Sequence, residues 1–234
     1  MSERRPPGRY EPRDASARGH LPLPEALFVL GHDEAGRTRY HPRLLDAVLG
    51  GALLAEAAID GAVTVVDGGT VKVAELGARP PSGARDLQIA VLETLAGEPA
   101  PHTAAEWAGR FAPDATARIL ESLERVGLCR RVTARRLGLF RADRVQFVDP
   151  SLLGRTEAWF THALTWAHDL SPTDAVLAAL GRELGPAPPA YEDLPAEERA
   201  RRRRAADEAM DESVRRVVAA TRATIAASAF GAYR

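Results

Sequence analysis

The chain has 234 residues, 45% of them hydrophobic and 27% charged, with a formal net charge of −1. That is enough for one large domain or two small ones around a sizeable core, and the near-neutral balance excludes a global field as the basis of nucleic-acid or membrane binding. A single cysteine, Cys129, excludes an internal disulfide framework, and no run of about 18 apolar residues offers a membrane span.

Residues 1–20 carry Arg, Pro and Gly with little to bury and read as a disordered tail ahead of one domain over residues 21–234. The opening MSERRPPGRYEPRD lacks the apolar stretch of a signal peptide, so a reducing, cytoplasmic setting is expected. Order begins at Leu23, where Pro24 suits a first helical turn and Ala26–Leu30 continue it. Asp33–Arg39 is a turn bent at Gly36. Leu44–Gly61, LLDAVLGGALLAEAAIDG, reads as a helix apolar almost all round, which belongs in the centre of a core. Gly50 and Gly51 at its middle suit close helix packing, and Gly61 is a natural stop. Two β-branched runs, Val63–Val66 and Val71–Val73, flank Asp67-Gly68-Gly69 and predict a hairpin.

After a Pro80–Gly83 linker, Leu87–Leu95, Ala104–Phe111 and Ala115–Val126 read as helices, the last with Ile119, Leu120, Leu123 and Val126 at helical spacing. Cys129–Thr133 and Leu137–Phe140 predict a second hairpin, with Val145–Phe147 as a third strand. The remainder reads as helical: from Ser151 through Trp159 and Trp166, from Ser171 with Asp174 three residues on as a capping pair, across Glu197–Met210, and over Ser213–Ala229. Gly185–Pro189 interrupts it. The expected fold is mainly α, a compact single domain of helices with two or three β-hairpins.

Little of this points to catalysis. HExxH, GxSxG, P-loop and CxxC motifs are absent, and the six histidines (His20, His32, His41, His102, His162, His168) have no metal-ligand spacing, so no metal or cofactor is expected. Cys129 reads as a small core residue. Glu56 and Asp60 share a helix face at i and i+4 and could serve acid–base chemistry. The structural reading is that Glu56 takes hydrogen bonds from a neighbour while Asp60 is solvated. Arg199 and Arg201–Arg204, preceded by Glu192, Asp193, Glu197 and Glu198, read as a self-neutralising solvated face.

One local charge feature remains. Between Arg130 and Arg144 lie six arginines and one acid, Asp143, a net +5 over one hairpin and its exit. Arg130, Arg131, Arg135 and Arg136 together with Leu137, Leu139 and Phe140 would suit an anionic bilayer surface, or else the apolar three face the core. The hairpin edge also offers a surface on which two copies of the chain could pair. Helix, turn, helix and basic hairpin over 104–147 is in addition the order of a winged helix. Its second helix, however, carries Asp114, Arg118, Glu121, Glu124 and Arg125, a net −1 that opposes phosphate, so no nucleic acid is expected.

Four blocks in order resemble the Golgi phosphoprotein 3 family: LPEALFVLGHDEAGR (Leu23–Arg37), the central helix Leu44–Val63, PSGARDLQIAVLETL (Pro81–Leu95), and LERVGLCRRVTARRLGLFRADRVQFVD (Leu123–Asp149). The resemblance implies a compact, mainly helical fold without catalysis. It also implies a peripheral membrane protein or adaptor that binds phosphatidylinositol 4-phosphate, with the hairpin near Leu137–Phe140 touching membrane, a protein partner or a neighbouring subunit. On this sequence the family's headgroup-side tryptophan falls on His41, its central-helix arginine on Gly50, and two further arginines near Pro113 and Thr116, while a third matches Arg118. His41, Arg43, Arg110 and Arg118 are therefore the residues expected to face a lipid headgroup.

Overall fold

The computed structural model describes residues 20–74, 86–136, 140–166 and 168–231, with side chains outside 134–143 and 228–231. The expected tail over 1–20 and the Pro80–Gly83 linker lie outside these residues, His20 excepted. In chain order the elements are α1 (Leu23–Leu30), α2 (Pro42–Ile59), β1 (Val63–Val65), β2 (Val71–Val73), α3 (Asp86–Gly97), α4 (Ala104–Phe111), α5 (Ala115–Arg125), β3 (Cys129–Arg136) and β4 (Phe140–Phe147). There follow α6 (Leu152–Thr165), α7 (Pro172–Leu184), α8 (Pro189–Glu192), α9 (Ala196–Ala209) and α10 (Glu212–Gly231). The fold is mainly α with two antiparallel two-stranded hairpins.

Helix α2 is the axis on which the others are hung. It packs against α1, α3, α4, α5, α7 and α10, and from Ala47 to Ala58 every residue but Glu56 is buried. Its two glycines explain how so many partners come close. A Cβ on Gly50 would lie 2.6 Å from the Ala112 backbone nitrogen and 2.7 Å from the Ala108 carbonyl oxygen, so α4 sits directly on the α2 backbone there. A Cβ on Gly51 would meet the Thr221 side chain of α10 at 2.2 Å. The helix starts two residues before the expected Leu44, because Pro42 suits the first helical position and the His41 side chain accepts a hydrogen bond from the Arg43 N–H. It ends as expected, with Gly61 left-handed at φ 68° beyond Asp60.

Glu56 accepts a hydrogen bond of 3.2 Å from the Leu23 N–H, the first residue of the fully buried helix α1. A buried helix start leaves N–H groups needing acceptors, and a carboxylate there also opposes the positive end of the dipole. The polar group in an apolar helix is thus a cap supplied by one core helix to another.

The two hairpins are held differently. Strands β1 and β2 turn through Gly68 and Gly69, both left-handed, and are pinned by the start of α10. There the Ser213 hydroxyl accepts from the Val65 N–H at 3.1 Å, and Arg216 donates to the Val65 carbonyl and pairs with Asp67. In the second hairpin Val145–Phe147 is not a separate third strand. It is the end of β4, which pairs with β3 without a break from Cys129↔Phe147 to Arg136↔Phe140. Among the C-terminal helices, Ser171 and Asp174 form the expected capping box on α7, and Asp174 also accepts from the Trp159 indole N–H of α6 at 2.7 Å.

Candidate functional site

Among the described residues, the β3–β4 hairpin is anchored at its root. Cys129 and Val145 are buried there, and burial pushes the Cys129 thiol up to about 11, which fits a core residue and not a reactive one. The Val145 N–H donates to the Gly36 carbonyl at 3.0 Å. Gly36 is left-handed, and a Cβ on it would lie 1.7 Å from the Val145 carbonyl oxygen, so the α1–α2 turn meets β4 backbone to backbone. The Arg131 N–H donates to the Glu124 carboxylate of α5 at 2.6 Å, and the Val148 N–H to the Leu128 carbonyl at 2.9 Å.

Beyond this root Arg130, Arg131, Val132 and Thr133 are exposed and Arg144 is half-buried. The register sets Arg135 across from Arg141 and Arg136 across from Phe140. Like charges directly opposite one another destabilise a strand pair unless counter-charge is near. The side chains of Arg135, Arg136 and Phe140 lie outside the described residues, as do Leu137 and Leu139 entirely. Among the described residues, large exposed apolar side chains are few: Val126 (51% exposed), Val132 (37%), Val148 (50%) and Trp166 (53%). Three of these four belong to the hairpin or to the residues that enter and leave it. Among the described residues, no helix is long and apolar enough to cross a membrane.

Of the four headgroup candidates, His41 and Arg110 are engaged with neighbours. His41 and Arg43 are exposed at the start of α2, where the His41 ring caps the helix. Arg110, at the end of α4, pairs with Glu98 at 2.7 Å, contacts His102 Nε2 at 2.9 Å and lies over the Trp107 ring at 5.2 Å. Its guanidinium is the main reason the Glu98 carboxyl is held below its ordinary value. Arg118 is half-buried on α5, and its guanidinium makes no hydrogen bond or ion pair among the described residues. Apart from the Arg43–His41 cap, no hydrogen bond, ion pair or ring contact joins any two of the four among the described residues.

The surroundings reinforce this. Asp46 of α2 accepts from both the Thr116 N–H, at 3.1 Å, and the Thr116 hydroxyl, at 2.5 Å. The chain's own carboxylate therefore fills the N-terminal end of α5, where an anion would otherwise be favoured.

The model of the Golgi phosphoprotein 3 (GPP34) family matches residues 23–226, most of the chain. The chain belongs to the Golgi phosphoprotein 3 family. No curated protein matches it. Three of the four positions at which the resemblance expects a different residue have a structural explanation. His41 is a helix cap, Gly50 is closed by the α4 backbone, and Thr116 is bound by Asp46.

Sequence reasoning missed three features. Asp60, expected to be solvated, is half-buried and accepts a hydrogen bond from the Gln88 amide of α3, and burial raises its carboxyl to about 6. Nothing local in the sequence announces Gln88 as its partner. His32 is a core histidine, its Nδ1 2.7 Å from the Phe28 carbonyl and its ring 4.4 Å from Phe28, with its pKa lowered chiefly by burial. The arginine run of α9 is only partly self-neutralised. Arg199 pairs with Glu192, and Arg201 and Arg202 both pair with Glu198, but Arg202 and Arg203 also line a cleft.

Proposed function

We propose that this chain is a non-enzymatic, cytoplasmic peripheral protein that meets an anionic membrane surface through the β3–β4 hairpin. One observation carries the reading. The chain is near-neutral, yet six arginines against one acid are gathered on one hairpin, and exposed valines lie within it and at its entry and exit. Near anionic headgroups each arginine contributes roughly 1 kcal/mol, so a net of five charges gives about 5 kcal/mol, an affinity of about 0.2 mM. Charge alone makes a transient contact. Val126, Val132 and Val148 supply the apolar contribution that a second anchoring signal needs.

In this reading the contact senses negative surface charge, and no arginine fork selects phosphatidylinositol 4-phosphate. Gly50 has no room for a side chain, and Asp46 repels an anion at the start of α5. The absence of catalysis is part of the same proposal: Glu56, the carboxylate most suited to acid–base work by sequence, is engaged in capping α1.

Co-sedimentation with phosphatidylcholine vesicles, with and without phosphatidylglycerol, tests the proposal. The wild-type chain is expected in the pellet with the anionic vesicles, less so as salt is raised, and Arg135→Glu/Arg136→Glu is expected in the supernatant. Equal recovery on both vesicle types would sink it.

A further inference from the structure

We infer that the cleft between α6, α7, α9 and α10 is a second, independent binding site, one that takes a phosphate group carried on a small molecule or a lipid headgroup. The cleft is partly open to solvent and has a cavity volume of about 70 Å³. Ala178 of α7 and Ala206 of α9 add small apolar side chains to its lining, together with four arginines: Arg182, Arg202, Arg203 and Arg222.

These arginines are unevenly satisfied. Arg222 is paired with Glu183 at 2.8 Å, and Arg202 meets Glu198 through its terminal nitrogen. The Arg202 Nε–H is buried and has no hydrogen-bond partner. Arg182 lies 5.8 Å over the Tyr191 ring, and neither it nor Arg203 makes an ion pair among the described residues. Asp207 is the one acid among the lining residues.

The terminal nitrogen beside the Arg202 Nε–H is the one that meets Glu198, so the side-on fork of Arg202 is turned to that carboxylate, and the Arg182 and Arg203 guanidinium groups are the donors left for an oxyanion. A phosphate can accept from more than one guanidinium and also neutralise their charge, as a neutral ligand cannot. The opening to solvent leaves room for whatever the phosphate is attached to, and the small apolar side chains accommodate a short carbon stem. The site depends on packing of α9 against α6 and α7, not on the hairpin, so it stands apart from the membrane contact proposed above.

Thermal unfolding with inorganic phosphate against chloride at matched ionic strength provides the test, repeated with glycerol phosphate and with vesicles carrying phosphatidic acid. Phosphate is expected to raise the unfolding temperature of the wild-type chain and of Arg135→Glu/Arg136→Glu alike. It is expected to leave Arg182→Ala and Arg203→Gln unmoved. Arg203 is exposed, so Arg203→Gln keeps the fold, which its circular dichroism verifies. A response to glycerol phosphate identifies a soluble ester, and a response only to phosphatidic acid vesicles identifies a headgroup, provided that Arg203→Gln abolishes either. No rise over chloride with any of the three probes, or the same rise in wild type and Arg203→Gln, would overturn the inference. Loss of vesicle binding by Arg135→Glu/Arg136→Glu with the phosphate response intact would separate this site from the hairpin.

Discussion

Replacing Gly50 by alanine sets two opposed effects against each other. In a helix interior the exchange gains about 1 kcal/mol of intrinsic propensity. Against this, the new Cβ falls 2.6 Å from the Ala112 nitrogen, 2.7 Å from the Ala108 oxygen and 2.8 Å from the Ala112 Cα. These are backbone atoms, not the ends of flexible side chains. Restoring the closest approach from 2.6 Å to an ordinary contact of 3.4 Å moves α4 about 0.8 Å off α2. Trp107, Ala108 and Phe111, all buried on α4, would move with it. Overpacking of a tight core costs about 1–3 kcal/mol, and contact with rigid backbone puts this case at the upper end. The net expectation is a loss of about 2 kcal/mol, which for a chain of this size lowers the unfolding temperature by roughly 4–8 °C. Urea unfolding followed by circular dichroism measures it. Gly154→Ala on α6 is the internal control: nothing lies within 4 Å of its Cβ position, so only the propensity gain remains and the protein becomes slightly more stable. A Gly50→Ala variant as stable as wild type would refute the close-packing argument, and with it the reason given for the missing arginine at that position.

Asp60 and Gly36 give two further expectations. Because the Asp60 carboxyl is raised from 3.8 to about 6 in the folded chain, the folded state holds a proton that the unfolded chain has released. Its contribution therefore favours folding at low pH and is lost as pH rises from about 4 to about 6. Asp60→Asn keeps an acceptor for Gln88 and should remove that fall, so its urea midpoints should gain on wild type across the window. Parallel pH curves for the two proteins would contradict this. Gly36→Ala puts a side chain at φ 68° and 1.7 Å from the Val145 carbonyl. Amide exchange at Val145 should accelerate while the α2 amides keep their protection; unchanged exchange at Val145 would mean the turn does not hold the hairpin root.

Much of the scaffold is legible because its signals are local. The all-round apolar pattern of α2 announces a central helix, Gly50 and Gly51 announce close packing, and Ser171 with Asp174 announces a cap. Each of these is a matter of spacing within one element. Partners brought together by folding are not legible in this way. Asp46 and Thr116 are 70 positions apart, and neither carries a sign of the other. Gln88 reaches Asp60 from another helix. The α9 arginines look neutralised when acids are counted along the chain, yet packing against α6 and α7 turns Arg202 inward and leaves its Nε–H without an acceptor. Val145–Phe147 reads as a separate third strand for the same reason: charged residues interrupt the β pattern, while the ladder continues through them. Of the candidate site, the charge of the hairpin is plain in the sequence. The engagement of His41 as a helix cap and of Arg110 with Glu98 is visible only in three dimensions.

The most direct measurement is an environment-sensitive fluorophore placed on the hairpin through Val132→Cys. The native thiol at Cys129 is buried and pushed up to about 11, so labelling is directed to the exposed position. Vesicles containing phosphatidylglycerol should shift the emission to the blue. The shift should vanish on pure phosphatidylcholine, in high salt, and in the Arg135→Glu/Arg136→Glu background. An unchanged spectrum on anionic vesicles, or the same shift on neutral ones, would contradict a charge-driven membrane contact through this hairpin.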